Sequence, residues 1–299
     1  MATKTIAQPF VDILSFNYQS FSTTYKDTTR WKNHTDNYAL NLFLPKEFKN
    51  GNTLLIRINS EMIKSTFIGD SSVTKQLSAV SMPLGFMFVS KNKKWKTVAI
   101  VIPKLAGDFK DKNLMTYAQL GGLFIENYQI KENVKLKAGL YYNHEAFGDF
   151  FMPLVGVDWK INKRITLYGI LPTNYKFEVN IIKNRLYTGL CFKSFTRSFR
   201  VYNPVVAPDG TLDNPYTYVR YDEEQIKLFL DCFIYKKFLL FAEAGYTLGK
   251  SPIEYINGNQ WEQRFVSPVY APTKPYMIFN VGIAYRIRQD LEKKEEAVH

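Results

Sequence analysis

The sequence predicts an all-β chain: one antiparallel transmembrane β-barrel of about 12–14 strands, with short periplasmic turns and long extracellular loops. Three observations carry that expectation. Polar and apolar residues alternate with a period of two almost from end to end, and sustained 3.6-residue periodicity is nearly absent. Aromatics are in excess, with 23 Phe, 20 Tyr and 4 Trp among 299 residues, and these are the residue types of interfacial girdles. Short polar connections alternate with long irregular ones, as they do between the two ends of an outer-membrane barrel. Aliphatic runs are short, as in Val98–Ile102, which Pro103 closes. A spanning helix needs roughly 20 apolar residues and a spanning strand only about 9–11, so helical crossing is excluded and strand crossing is not.

In chain order, strands are expected over 11–21, 36–44, 52–62, 73–90, 94–105, 113–128, 133–146, 152–161, 164–171, 174–182, 185–198, 215–235, 237–249 and 275–288. In the first, Leu14, Phe16 and Tyr18 alternate with Ser15, Asn17 and Gln19. In the third, Leu54, Ile56 and Ile58 oppose Leu55, Arg57 and Asn59. Val80, Met82, Leu84, Phe86 and Phe88 form one face of the fourth. In the seventh, Val134 to Tyr142 at even positions oppose Lys135, Lys137, Gly139, Tyr141 and Asn143. Ile226, Leu228, Leu230, Cys232 and Ile234 form one face of the twelfth, and Met277 to Ile287 at odd positions form one face of the last. The segments on either side of Pro172 also read as one bent strand, so the count is a range. Short turns fall at 90–94, 129–133, 162–163, 183–184 and around Lys236, and long connections at 22–35, 62–72, 106–112, 199–214 and 250–274. An even strand number puts both termini on the periplasmic side.

The chain divides into residues 1–10, a residual export leader, 11–288, the barrel, and 289–299, a charged tail. Residues 1–6 lack an apolar core, yet Thr5-Ile6-Ala7-Gln8 reads like a cleavage site. Cys191 and Cys232 are too few for a disulfide scaffold or a four-cysteine zinc site. No glycine loop joins a strand to a helix, so no cofactor is expected.

Charge is the most informative chemistry. Lys and Arg number 39 against 27 Asp and Glu, a net +12. Many basic residues sit at the short turns, for example Lys91, Lys163, Arg164 and Lys236, where they suit anionic headgroups rather than nucleic acid. The polar stripes place Arg57, Lys135, Lys137, Lys160, Lys176, Lys193, Arg197, Lys227 and Arg286 in the lumen, with Glu61, Asp158, Glu178, Asp231 and Glu243. Two outcomes are open. A surplus of cations around open water would favour passage of small anionic solutes. Pairing across the interior would make a closed structural barrel whose loops 199–214 and 250–274 bind a partner or surface ligand.

The last strand, Asn280-Val281-Gly282-Ile283-Ala284-Tyr285-Arg286-Ile287, resembles the terminal assembly signal of outer-membrane barrels: polar Asn280, then Gly282 two on, then the aromatic Tyr285 and the apolar Ile287 at alternate positions. Three further pieces widen the resemblance: 82–88 with Trp95 and 102–105; 148–162 leading to Leu171-Pro172; and 187–190 leading to Ser198-Phe199-Arg200. Together they resemble a family of uncharacterised outer-membrane β-barrels from Gram-negative bacteria. That resemblance implies a barrel in the cell outer membrane, and it brings no substrate, cofactor or catalytic residue. The partners expected are outer-membrane lipid, the barrel-assembly machinery during biogenesis and a small anionic solute.

An enzyme is not expected. Of His34, His144 and His299, His144 lies at an outer strand end beside Glu145, where a lipid hydrolase would hold a Ser–His pair. No serine is tied to it by motif, and the His144–Glu145 pair reads as a solvated rim feature.

Overall fold

Period-two alternation yields one closed sheet. The computed structural model describes residues 10–25, 32–69, 72–202, 205–206, 212–213, 216–248, 252–256 and 273–288. Residues 1–9 of the segment 1–10 expected as a leader, the expected tail 289–299, half of the connection 199–214 and most of 250–274 lie outside them.

The first strands are β1 (Phe10–Thr24), β2 (Lys32–Glu47), β3 (Thr53–Ile68), β4 (Ser72–Ser81), β5 (Leu84–Val89) and β6 (Trp95–Gly107). After a 3₁₀ turn at Leu114–Tyr117 come β7 (Ala118–Lys131), β8 (Val134–Glu145), β9 (Gly148–Lys160), β10 (Ile165–Leu171) and β11 (Asn174–Ile182). The rest are β12 (Leu186–Tyr202), β13 (Val205–Val206), β14 (Leu212–Asp213), β15 (Tyr216–Tyr235), β16 (Phe238–Thr247), β17 (Ile253–Ile256) and β18 (Met277–Arg288). Sixteen of these form a single sheet, and β13–β14 are a separate small hairpin.

The sheet closes because β12 pairs with β15 and β1 pairs with β18. β4 and β5 share one position between β3 and β6. β17 continues the β16 side of β15. The ring therefore has fourteen staves, at the top of the expected range, and every neighbouring pair of staves is antiparallel. Pro172 lies in the turn between two antiparallel strands, which settles the one-or-two-strand alternative in favour of two.

Several expected boundaries shift by a few residues, and three differences are larger. The fourth strand breaks at Met82–Pro83, because proline has no N–H for the ladder; Arg57 instead donates its amide to the Pro83 carbonyl at 2.9 Å. Residues 114–117 are a 3₁₀ turn, so β7 starts at Ala118 rather than 113. Residues 62–68, expected as loop, extend β3 in register with β2 and β4. Their Ser, Thr and Lys residues are compatible with a strand rising above the apolar band.

The outward face is apolar around the ring. Leu40, Val101, Leu140, Val155, Leu228 and Ile283 are each more than 40% exposed. Aromatic pairs edge this band at both ends. Trp95–Tyr128 (ring centroids 4.5 Å apart) and Phe238–Tyr285 (5.3 Å) lie on the short-turn side, and Tyr18–Tyr38 (5.1 Å) and Tyr142–Phe151 (4.8 Å) on the other. A closed barrel with such a band satisfies every ladder hydrogen bond within lipid.

The wall is uneven. β10 has only seven residues, and tilted by about 40° these rise roughly 18 Å, short of the ~25 Å apolar band. Above Val155, β9 pairs only with β8 among the described residues. A notch therefore opens in the wall over the β10–β11 turn.

Candidate functional site

The lumen holds the polar chemistry, and two long strands divide it. β12 and β15 outrun their outer neighbours: the β11 ladder ends at Lys193, while β12–β15 pairing continues to Tyr202–Tyr216. Freed from the wall, this hairpin crosses the outer half of the lumen. One face carries Phe199, Val201, Val219 and Tyr221 onto the inward residues Ile63, Phe67, Leu77 and Ala106 and onto Tyr25. Burying each large side chain of that cluster is worth about 1.5–3 kcal/mol.

The other face is fixed by polar bonds. Glu145, 3% exposed, takes a hydrogen bond from the Ser198 hydroxyl at 2.6 Å and another from the Ser198 amide at 2.8 Å. Its second oxygen accepts from Lys104 Nζ at 2.7 Å and from Asn143 Nδ2. Gln119 donates to the Ser198 carbonyl at 3.0 Å, while on the first face, beside Phe199 and Tyr221, Arg197 pairs with Glu61. Near the end of β12, the Asp108 amide donates to the Arg200 carbonyl at 3.0 Å, a contact beside Gly107. A Cβ at Gly107 would lie 2.2 Å from the Tyr117 ring and 2.4 Å from the Arg200 carbonyl, so the approach requires glycine.

The connection 108–117 locks this end. The Asp111 carboxylate accepts from the Asn113 amide at 2.9 Å, Tyr216 Oη at 2.6 Å and Thr116 Oγ1 at 3.0 Å. Those bonds, the Asn113 amide first, hold the Asp111 carboxyl below its ordinary value.

Beneath the hairpin a cavity of about 670 Å³ fills the periplasmic half of the lumen. Seven basic side chains line it, Arg57, Lys96, Lys135, Lys137, Lys176, Lys193 and Arg286, against three acidic ones, Asp12, Asp231 and Glu243. All fourteen charged residues expected in the lumen occupy inward positions of their strands. Ten are ion-paired. Lys137 meets Asp158, Arg197 meets Glu61, and Glu243 holds Lys227 and, at 3.6 Å, Lys193. Arg286 bridges Asp231 and Asp12, and Glu178 pairs with Arg288 at 2.6 Å. Such pairing is what buried charges require. Lys135 lines the cavity, and Lys160 is exposed at the periplasmic rim.

Arg57 and Lys176 are different. Arg57 lies over the Phe43 ring at 4.9 Å and Lys176 over the Phe229 ring at 4.4 Å. Neither has a carboxylate within ion-pair distance among the described residues.

Several participants escaped the sequence reading. Glu145 is buried rather than solvated: His144 and Glu145 point to opposite faces, and only Glu145 turns inward. His144 instead contacts Asp149 at 2.9 Å on the outside. A bulge between Asp12 and Leu14 reverses the parity of β1, which brings Asp12 inside although its neighbouring pattern puts even residues outside. His34 has a serine neighbour that no motif announced. Ser22 Oγ lies 2.9 Å from its Nδ1, and Asp36 lies 3.3 Å from its Nε2 while accepting from Tyr18 Oη. This chain ties β1 to β2 just above the Tyr18–Tyr38 pair. Cys191 and Cys232 are both free.

In the terminal strand, Asn280 faces inward and donates to Glu243 at 3.1 Å, while Tyr285 and Ile287 face outward. At Gly282 a Cβ would lie 2.3 Å from the Phe16 carbonyl and 2.4 Å from the Phe241 ring, so bare backbone lets that ring lie against the wall.

No family model matches the sequence, and no curated protein matches it. Solved structures similar to it include the NanC porin, with 8% identity and a TM-score of 0.40 over 92% of this chain and 100% of that one. Another is an outer-membrane channel from Pseudomonas putida F1, with 10% identity and a TM-score of 0.42 over 93% and 96%. A third is a variant of the TodX monoaromatic hydrocarbon channel, with 8% identity and a TM-score of 0.45 over 92% and 89%. Values this low carry no argument about what the chain does, and its architecture rests on its own ladder. A closed ring of antiparallel strands, apolar outside between two aromatic girdles and charged within, makes this chain an outer-membrane β-barrel.

Proposed function

We propose that the protein passes small anionic solutes across the outer membrane through the basic lumen, with the β12–β15 hairpin closing the outer end. One observation carries this reading: basic side chains outnumber acidic ones around the cavity, and Arg57 and Lys176 have aromatic rings instead of carboxylates as partners. A low-dielectric wall focuses the field of such a surplus into the water it encloses. An anion entering there gives Arg57 and Lys176 the ion-pair partner that no carboxylate among the described residues supplies.

The experiment is single-channel current across a planar lipid bilayer under a salt gradient. The refolded chain should give stepwise conductance with a reversal potential on the anion side. The double variant Arg57→Gln/Lys176→Gln should move that potential toward zero without changing barrel stability. A second reading, a closed barrel whose loops 199–214 and 250–274 hold a partner, draws on the apolar packing of the hairpin. Good insertion with no current, even after the hairpin is loosened, would favour it and overturn the first.

A further inference from the structure

Resting on the reading of the lumen as a solute path, we infer that the cavity binds a single-chain anionic amphiphile, its headgroup on the basic wall and its chain on the wall opposite. Water-filled barrels line their interiors with polar residues. Here the inward positions of β3, β6 and β7 instead carry Leu55, Val98, Ile100, Ile102 and Leu123, all partly uncovered and all lining the cavity. The hairpin does not cover them, since its apolar face rests on Ile63, Phe67, Leu77 and Ala106, farther up the wall.

The facing wall carries the cations Lys176 and Lys193 on β11 and β12, on the far side of the ring from β5 and β6. Lys193 shares Glu243 with Lys227, and Lys176 has no ion pair among the described residues. A small hydrated anion leaves the apolar wall unused, and a neutral hydrocarbon leaves Lys176, seated over the Phe229 ring, with no acidic partner at ion-pair distance among the described residues. One molecule with an acidic head and an alkyl chain satisfies both walls. The volume, about 670 Å³, suits such a guest, since small-molecule sites span about 300–1,000 Å³. The notch over the β10–β11 turn lowers the wall on the membrane side, where an amphiphile is concentrated.

The test uses the full-length folded protein in a neutral sugar detergent, with cis-parinarate as fluorescent probe and dodecanoate, dodecanol and acetate as competitors. Saturable probe binding, displaced by dodecanoate at concentrations at least tenfold below those needed for dodecanol or acetate, is the expected result. Two variants are read beside it, each first checked for a heat-modifiable folded band in electrophoresis. Lys176→Gln should weaken dodecanoate about tenfold and leave dodecanol unchanged. Val98→Thr/Ile100→Thr should weaken dodecanoate by a similar factor and leave the anion preference of the conductance intact. Acetate or dodecanol competing on a par with dodecanoate would overturn the proposal. So would the absence of saturable binding in a protein that conducts anions, an outcome that leaves the lumen reading standing. Absence of both binding and conductance would overturn the two together.

Discussion

Glu145 shows how much one side chain decides. Its carboxylate receives four hydrogen bonds, from Lys104, Asn143 and the amide and hydroxyl of Ser198, and so fastens the hairpin to the β6 and β8 walls. Glu145→Gln keeps the shape, removes the charge and turns one acceptor into a donor facing donors. Loss of charge-assisted bonding in a buried site should cost on the order of 1.5–3 kcal/mol. The check is a lower thermal unfolding midpoint together with longer open times in bilayer recordings. Asp111 gives a pH prediction. Its carboxyl is held below its ordinary value in the folded chain, so its contribution is present above the unfolded value and lost as pH falls through the folded one. The Asn113 amide resonance should therefore titrate with a midpoint below the ordinary aspartate value of about 3.9, and Asp111→Asn should abolish that titration. Parity made the lumen charges legible in the sequence, because lipid excludes unpaired charge from the other face. It hid Asp12, since a bulge adds one residue without any mark in composition, and it misassigned Glu145 because the alternating stripe was followed only as far as Asn143.

At the scale of elements, the β12–β15 hairpin was legible as two long strands and illegible as a plug. Below Gln225 the alternation of β15 is strict, with Lys227, Phe229, Asp231 and Phe233 in and Ile226, Leu228, Leu230 and Ile234 out. Above it, Thr217, Tyr218 and Val219 are buried in succession, on both faces of the strand. Continuous burial of this kind marks a strand covered on two sides, and here the two covers are the inner wall and, through Ala146, Phe147, Ile253 and Tyr255, the β8–β9 turn and β17. Which wall covers it depends on contacts far away in sequence, beyond any local pattern. Gly107 is one of those contacts. Gly107→Val would push a side chain into the Tyr117 ring and the Arg200 carbonyl. The hairpin end should detach while the barrel persists, seen as new trypsin cleavage after Arg197 or Arg200 with an unchanged heat-modifiable band.

At the scale of the molecule, closure is the source of both stability and function. Fourteen staves lie between the roughly eight that side chains fill and the sixteen or more that leave an open channel. That intermediate bore suits a lumen whose lower half encloses a cavity and whose upper half is filled by the hairpin. The plug is also made of the same two strands that form adjacent staves, rooted where β11 stops at Lys193. It is therefore a cantilever rather than a separate stopper. Its return to the closed position is intramolecular, with no encounter step and no dependence on how much protein is present. Opening and closing should each follow a single exponential in dwell-time histograms, with rates unchanged by protein concentration and shifted only by what loosens the root or the tip.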